Sequence, residues 1–285
     1  MPAVSTSRAG GLSLPRWSRL TYIAVFIVAI ALFVSVAGPL LVTHDPYMFG
    51  ASMNEPPNAE HILGTDDQGQ DVYSRLVTGT GLSLLYGASA ALVALFLGGL
   101  VALLAMALGK VAEGILFGLV DLIRAMPGIL FALAFIVAFE PGVESVILAL
   151  GISFAPNFAL ITRATYLQQM ARPYTSAAKV LGASRIRTAF VHILPNVAGA
   201  LITQFAIVLP RCIVSESVLS FVGLGVSPET PTWGRMIASA TPYTEDAPHA
   251  VIAPIIALSL VTFSLAIIGN ELRTRFDPSR RRIAL

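Results

Sequence analysis

Cysteine is nearly missing from this sequence, and charge is scarce. A single Cys212 in 285 residues excludes an internal disulfide framework. Asp, Glu, Lys and Arg make up 12% of the chain and hydrophobic residues 55%, against about 25% charged in soluble domains. An ordinary soluble domain is excluded, and the chain is placed in a bilayer. A phosphate-binding G-x-x-x-x-G-K-S/T loop is also missing: the Gly109-Lys110 pair is followed by Val111 and has Leu104 where the first glycine belongs. Without backbone amides cradling phosphates and a lysine reaching them, ATP is not bound in the usual way. Any ATP-driven work therefore needs a separate protein. The four histidines, His44, His61, His192 and His249, are dispersed along the chain and read as offering no metal site. Neither a Ser-His-Asp order nor a usefully spaced carboxylate pair is found, so no catalytic residue and no enzyme activity are expected of this chain. The net charge of +2 gives no reason to expect a nucleic-acid partner.

Long apolar runs are what the sequence does contain. Runs of about 17 to 25 apolar residues can cross the hydrocarbon core, and six are placed near Tyr22 to Val42, Leu84 to Leu108, Ile115 to Phe139, Val146 to Ile161, Val197 to Leu219, and Val251 to Ile268. The expected fold is an all-α integral membrane protein with six transmembrane helices. The first run is about twice the length of a signal-peptide core and reads as a retained anchor. Residues 1–20 read as a flexible tail, 21–272 as the membrane domain, and 273–285 as a basic tail.

Charge sets the expected orientation by the positive-inside rule. Arg8, Arg16 and Arg19 precede the first run, and Arg273, Arg275, Arg280, Arg281 and Arg282 follow the last. Between them, the loop 163–195 carries Arg163, Arg172, Lys179, Arg185 and Arg187 without an acid, while His44 to Thr80 has six acids and only Arg75. Both termini and the loop 163–195 are expected in the cytoplasm, with loops 43–80 and 220–249 outside.

The loop 163–195 has an internal grammar. Ala177, Ala178 and Leu181 recur at helical spacing as a small-residue face, and Gly182 suits the left-handed position that ends a helix. Ser184 is placed to cap a second helix over Ile186 to His192, and Pro195 to open the next run where no backbone donor is needed. Such a helix pair is shaped to sit in another protein's groove.

Other residues read less specifically. Asp66, Asp67 and Asp71 lack EF-hand spacing and read as solvated acids, ahead of a short interfacial helix containing Val72, Leu76 and Val77. Gly223, Gly225, Pro228 and Pro231 break helix after the fifth run, and Trp233 and Tyr243 suit a membrane interface. Charges inside a bilayer are costly and default to functional candidates. Asp121 and Arg124, three apart on one helix face, are expected to neutralise each other. Glu216, near Arg211 and Ser215 in sequence, either faces a translocation path or holds helices together. Pro127, Pro156, Pro210 and Pro254 are candidate bends.

The loop resembles the EAA coupling loop of ABC-importer permeases, through Ala177, Ala178, Gly182, Leu194 and Pro195, with Ser176 where that family usually has Glu. HILGTDDQGQDVYSRL from His61 to Leu76 and SESVLSFVGLGVSPETPTWGRMI from Ser215 to Ile237 resemble two signatures of the C-type subunit of dipeptide and oligopeptide permeases, with Gln70 in place of a common Arg. The resemblance implies a type I importer (MetI-like) permease fold in a prokaryotic cell membrane. It also implies a B-type permease partner, two ABC ATPase subunits or domains that bind the ATP and Mg, and an extracytoplasmic substrate-binding protein. The residues it implies for ATPase coupling are Tyr174, Ala177, Ala178, Leu181, Gly182, Ala183, Ser184, Arg187, His192, Leu194 and Pro195. Arg211, Glu216, Asp121 and Arg124 are the candidates for the translocation path. The alternative is a secondary transporter or channel using Glu216 or Asp121 as an ion site.

Overall fold

The computed structural model describes residues 17–50 and 52–276. Its helices are α1 (Arg19–Leu41), α2 (Val72–Leu108), α3 (Lys110–Ala125), α4 (Gly128–Phe139), α5 (Val143–Met170), α6 (Pro173–Val180), α7 (Arg185–Arg187), α8 (Leu194–Phe221), α9 (Trp233–Ala240) and α10 (Pro248–Phe276), with a π turn at Thr188–Ile193. Among the described residues, β structure is limited to one isolated bridge between Thr65 and Asp71. Arg8, Arg16, Arg280, Arg281, Arg282 and most of the two expected tails lie outside the described residues.

Five helical segments are long and apolar enough to cross a membrane, and a sixth is formed by α3 and α4 together, bent by 97°. The run Ile115 to Phe139 is therefore not one straight span. Pro127 has no amide to donate and disfavours the helical conformation in the residue before it, and Met126 is accordingly extended at ψ 141°. The Ser153 hydroxyl of α5 donates to the Gly128 carbonyl at 3.1 Å, tying the start of α4 to α5. Pro156, Pro210 and Pro254, by contrast, lie within helices that continue through them.

The interfacial helix and second run expected from sequence are a single element. With neither Pro nor a turn signal after its cap, α2 continues for 37 residues, about 55 Å at 1.5 Å per residue. That exceeds the ~30 Å hydrocarbon thickness, so one end projects beyond it. Asp71 caps the N-terminus of α2, its Oδ2 accepting from the Ser74 amide at 2.8 Å.

Helix α2 is the central packing element, with α5, α8 and α1 against it. Between helices in lipid, close approach of small residues replaces the hydrophobic driving force available in water. Gly98 shows this most sharply: a Cβ there would lie 2.1 Å from the Ala155 carbonyl oxygen of α5. Ala90, Ala91, Ala94 and Ala149 continue the close-packed seam with no exposed surface.

Trp233 corrects the interfacial reading. It is fully buried among Ala31, Ile213 and Val261, and its amide donates to Ser83 Oγ at 3.0 Å. The turn after α8 places it there. Gly223 adopts φ +84° and the Leu224 amide bonds the Leu219 carbonyl at 3.1 Å, a Schellman closure that folds α9 back onto the bundle. Tyr243 does stay at the surface, 40% exposed.

Candidate coupling surface and translocation groove

The basic loop forms a small projecting knuckle at one end of the bundle. Helix α6 ends in a Schellman closure: Gly182 has φ +82°, and the Ala183 amide bonds the Ala178 carbonyl at 3.0 Å, as the pattern requires. Ser184 caps α7, its hydroxyl accepting from the Arg187 amide at 3.2 Å. Thr175 and Ala178 face inward, while Tyr174, Ser176 and Ala177 face out. The two alanines therefore do not share an exposed face. Val180 and Leu181 are each 87% exposed and form the apolar tip. The sequence reading omitted Val180, although an adjacent apolar pair before glycine in a polar loop was a signal for it.

The second helix differs from expectation. Only Arg185–Arg187 is α-helical before the π turn, which leads without a break into α8. The Leu194 amide reaches back to the Ala189 carbonyl, the wide register lying directly before Pro195, which has no amide to continue an α register. Asn196 Nδ2 donates to the His192 carbonyl at 2.8 Å. Tyr174 is tied by its hydroxyl to Gln169 Oε1 at 3.0 Å. Ala189 and Ile193 of the π turn are fully buried against Leu103 and Ala107 of α2, Tyr166 of α5 and Val197 of α8. Because α6 packs on this turn, the knuckle is linked through it to α2, α5 and α8.

Two further contacts brace this end. Arg163 of α5 pairs with Glu113 of α3 at 2.5 Å and lies 4.6 Å over the Phe117 ring. The α2–α3 turn at Gly109, φ +104°, lies against the Arg185 guanidinium.

The candidate path residues separate. Arg211 is exposed on a groove of about 610 Å³ between α5, α8 and α10, lined also by Phe154, Pro210, Ser215, Thr262 and Asn270. Glu216 is fully buried instead, accepting from Ser220 Oγ at 2.7 Å. Five residues along a helix turn the side chain by about 140°, so sequence proximity to Arg211 put the two on different faces. Its hydrogen-bond partners, Ser217 and Ser220, both belong to its own helix α8. Asp121 and Arg124 form an exposed pair at 3.2 Å, as their spacing suggested, and do not line the groove.

At the opposite end the acids are not solvated. Asp66 and Asp71 are buried because the chain uses their carboxylates as caps. Asp66 Oδ1 accepts from the Gln68 and Gln70 amides at 3.0 and 2.8 Å, and Asp66 Oδ2 lies 3.5 Å from Arg75 Nε. Arg75 also donates to Gln70 Oε1 and to the Pro46 carbonyl. Burial raises the Asp66 carboxyl above the usual 3.8, and burial together with the Asp66 charge raises Asp67 as well. Nor are all four histidines dispersed: the rings of His44 and His61 lie 4.7 Å apart, because the loop returns to the end of α1.

Residues 94–282 match the family described as the binding-protein-dependent transport system inner membrane component. The chain belongs to that family. It is 33% identical over 267 residues to the di/tripeptide transport system permease protein DppC of Pseudomonas aeruginosa, covering 91% of this chain and 88% of the relative. Identity to the dipeptide transport system permease protein DppC of Escherichia coli is 32%, over 90% and 85% of the two chains. The glutathione transport system permease protein GsiD of Pectobacterium atrosepticum is 34% identical over 79% and 75%. The fold is that of a crystallised amino acid ABC transporter, with TM-score 0.54 and 18% identity over 73% of this chain and 94% of the other.

The protein is thus an integral inner membrane permease of an ABC importer. It is the permease component and not the ATPase, and a permease of this kind works with a partner permease, an ATPase and a binding protein.

Proposed function

We propose that this permease is the C-type subunit of a dipeptide or oligopeptide importer, with both termini and the α6 knuckle in the cytoplasm. It pairs with a B-type permease, and two ATPase subunits or domains, which bind the ATP and Mg, drive the pair. The observation that carries the coupling role is the pair Val180 and Leu181, each 87% exposed, held on a glycine-closed helix over the buried π turn. An apolar tip in solvent loses its cost when it enters a partner's groove. Closure of the ATPases pushes α6, and the π turn passes the movement to α2, α5 and α8. For the push to shift the resting state, the ATPase contact must differ between the two states.

The groove around Arg211 is the surface that the permease offers to the path. An exposed guanidinium with no ion-pair partner among the described residues suits the carboxylate of a peptide, which it can bind bidentately. The peptide reading rests on the relatives' names. Its test is uptake of labelled di- and tripeptides by proteoliposomes holding the whole transporter, with its binding protein and ATP inside or outside. Uptake only with the binding protein and ATP on opposite sides supports the reading. Saturable uptake of another solute class, with none of peptides, overturns the cargo.

A further inference from the structure

The loop opposite α6 brings His44 back onto the adjacent pair Glu60 and His61. Ligand-capable atoms of His44, Glu60 and His61 lie within 4.8 Å of one another. Each residue is held by its own backbone or side-chain contacts. The amides of Thr43 and His44 donate to Ser74 Oγ at 3.2 and 3.1 Å, fixing the His44 backbone to α2. The Asn58 side chain accepts from the Glu60 and His61 amides at 2.9 and 2.7 Å, fixing the other two in one tight turn.

The second layer matters as much as the first. Asp71 is buried; one of its oxygens caps α2, and the other lies 2.9 Å from His61 Nδ1. A carboxylate on one imidazole nitrogen fixes the tautomer and leaves the other nitrogen as a more basic ligand. His44 Nδ1 is engaged by Thr43 Oγ1 at 3.1 Å and lies 4.0 Å from the same Asp71 oxygen. Both rings are therefore oriented from their Nδ1 sides by the same small group of atoms. Both remain partly open to solvent, with side-chain exposures of 36% and 18%, which leaves an entry route for an ion.

We propose that His44, His61 and Glu60 form a binding site for a borderline divalent transition-metal ion, Zn²⁺ being the probe ion, with Asp71 as the orienting carboxylate. Two imidazoles and one carboxylate are a ligand set zinc accepts, with water in the fourth position. Ligands around a tetrahedral ion at ~2.1 Å are about 3.4 Å apart, a contraction that the exposed Glu60 side chain and small rotations of the two partly exposed rings would supply. The hard ions Ca²⁺ and Mg²⁺ prefer all-oxygen sites. Once bound, the ion ties the end of α1, the α1–α2 loop and the start of α2 at one point.

The test uses the detergent-solubilised complete transporter, stripped with chelator and titrated with Zn²⁺ against a chromophoric chelator. Wild type binds one Zn²⁺ per copy of this chain at this site, and its melting temperature rises with Zn²⁺. His44→Gln and Glu60→Gln, both at positions that solvent reaches, weaken binding about tenfold or more and abolish the Zn²⁺-dependent rise. Asp71→Asn weakens binding about 10- to 100-fold. Absence of saturable Zn²⁺ binding in wild type, or equal binding in His44→Gln and Glu60→Gln, overturns the proposal.

Discussion

Replacing Gly182 isolates the contribution of one backbone torsion to coupling. At φ +82° the residue sits where an L side chain is strained, yet a Cβ there would meet nothing within 4 Å. The cost is therefore backbone strain alone, about 1–2 kcal/mol for Ala or Val. Asn, whose short polar side chain tolerates this conformation, costs less. Little opposes that strain, because α6 has eight residues and only Thr175 and Ala178 bury their side chains among those described in it. At 1.4 kcal/mol per tenfold, the ratio of closed to open turn falls about 5- to 30-fold for Gly182→Ala and Gly182→Val. In proteoliposomes carrying the whole transporter, both variants lower the ratio of cargo uptake to ATP hydrolysed, while membrane abundance and melting temperature stay at the wild-type level. Gly182→Asn retains most of the coupling. Refutation comes if Ala, Val and Asn variants all couple as wild type does, or if Asn fails as badly as Val, since strain then does not set the order.

Arg75→Ala leaves the buried Asp66 carboxylate without its cation, and should cost about 3–5 kcal/mol in chemical unfolding; Arg75→Lys rescues little, because one ammonium cannot serve Asp66, Gln70 and the Pro46 carbonyl together. Gly98→Val drives a side chain into the Ala155 carbonyl and should cost about 1–3 kcal/mol or more, read as lost membrane abundance and a lower melting temperature. The raised Asp66 and Asp67 carboxyls fix the sign of a pH effect. A folded value above the unfolded one means the native state holds the proton more tightly, so their contribution is complete below the ordinary carboxylate range and is lost as pH rises through the raised values. Relative to an Asp66→Asn, Asp67→Asn double variant, wild type should gain melting temperature as pH falls through that window; a relative loss contradicts the burial assignment.

Periodic signals were read well and tertiary ones poorly. Apolar run length gives the membrane helices, Gly182 the left-handed end of α6 and Gly223 the break after α8, because these depend on near neighbours in the chain. Pro127 and Pro156 look alike in sequence, yet the bundle breaks at one and runs through the other. Asp66 and Asp71 read as solvated because nothing local announces that their oxygens cap turns and a helix. Trp233 fits a membrane interface by its chemistry, but the fold-back after Gly223 carries it into the core. Glu216 and Arg211 lie five residues apart in sequence, and helical rotation puts them on different faces. His44 and His61 required the loop to close before they could meet.

The proposed coupling requires α6 to be the point where an ATPase grips this permease. The direct measurement places a cysteine at Leu181, in a Cys212→Ser background, and crosslinks the complete transporter with and without ATP. An adduct is expected between the Leu181→Cys position and the ATPase, with a yield that changes with nucleotide. No ATPase adduct at that position, or labelling of the cysteine by an impermeant thiol reagent added outside intact cells, contradicts it.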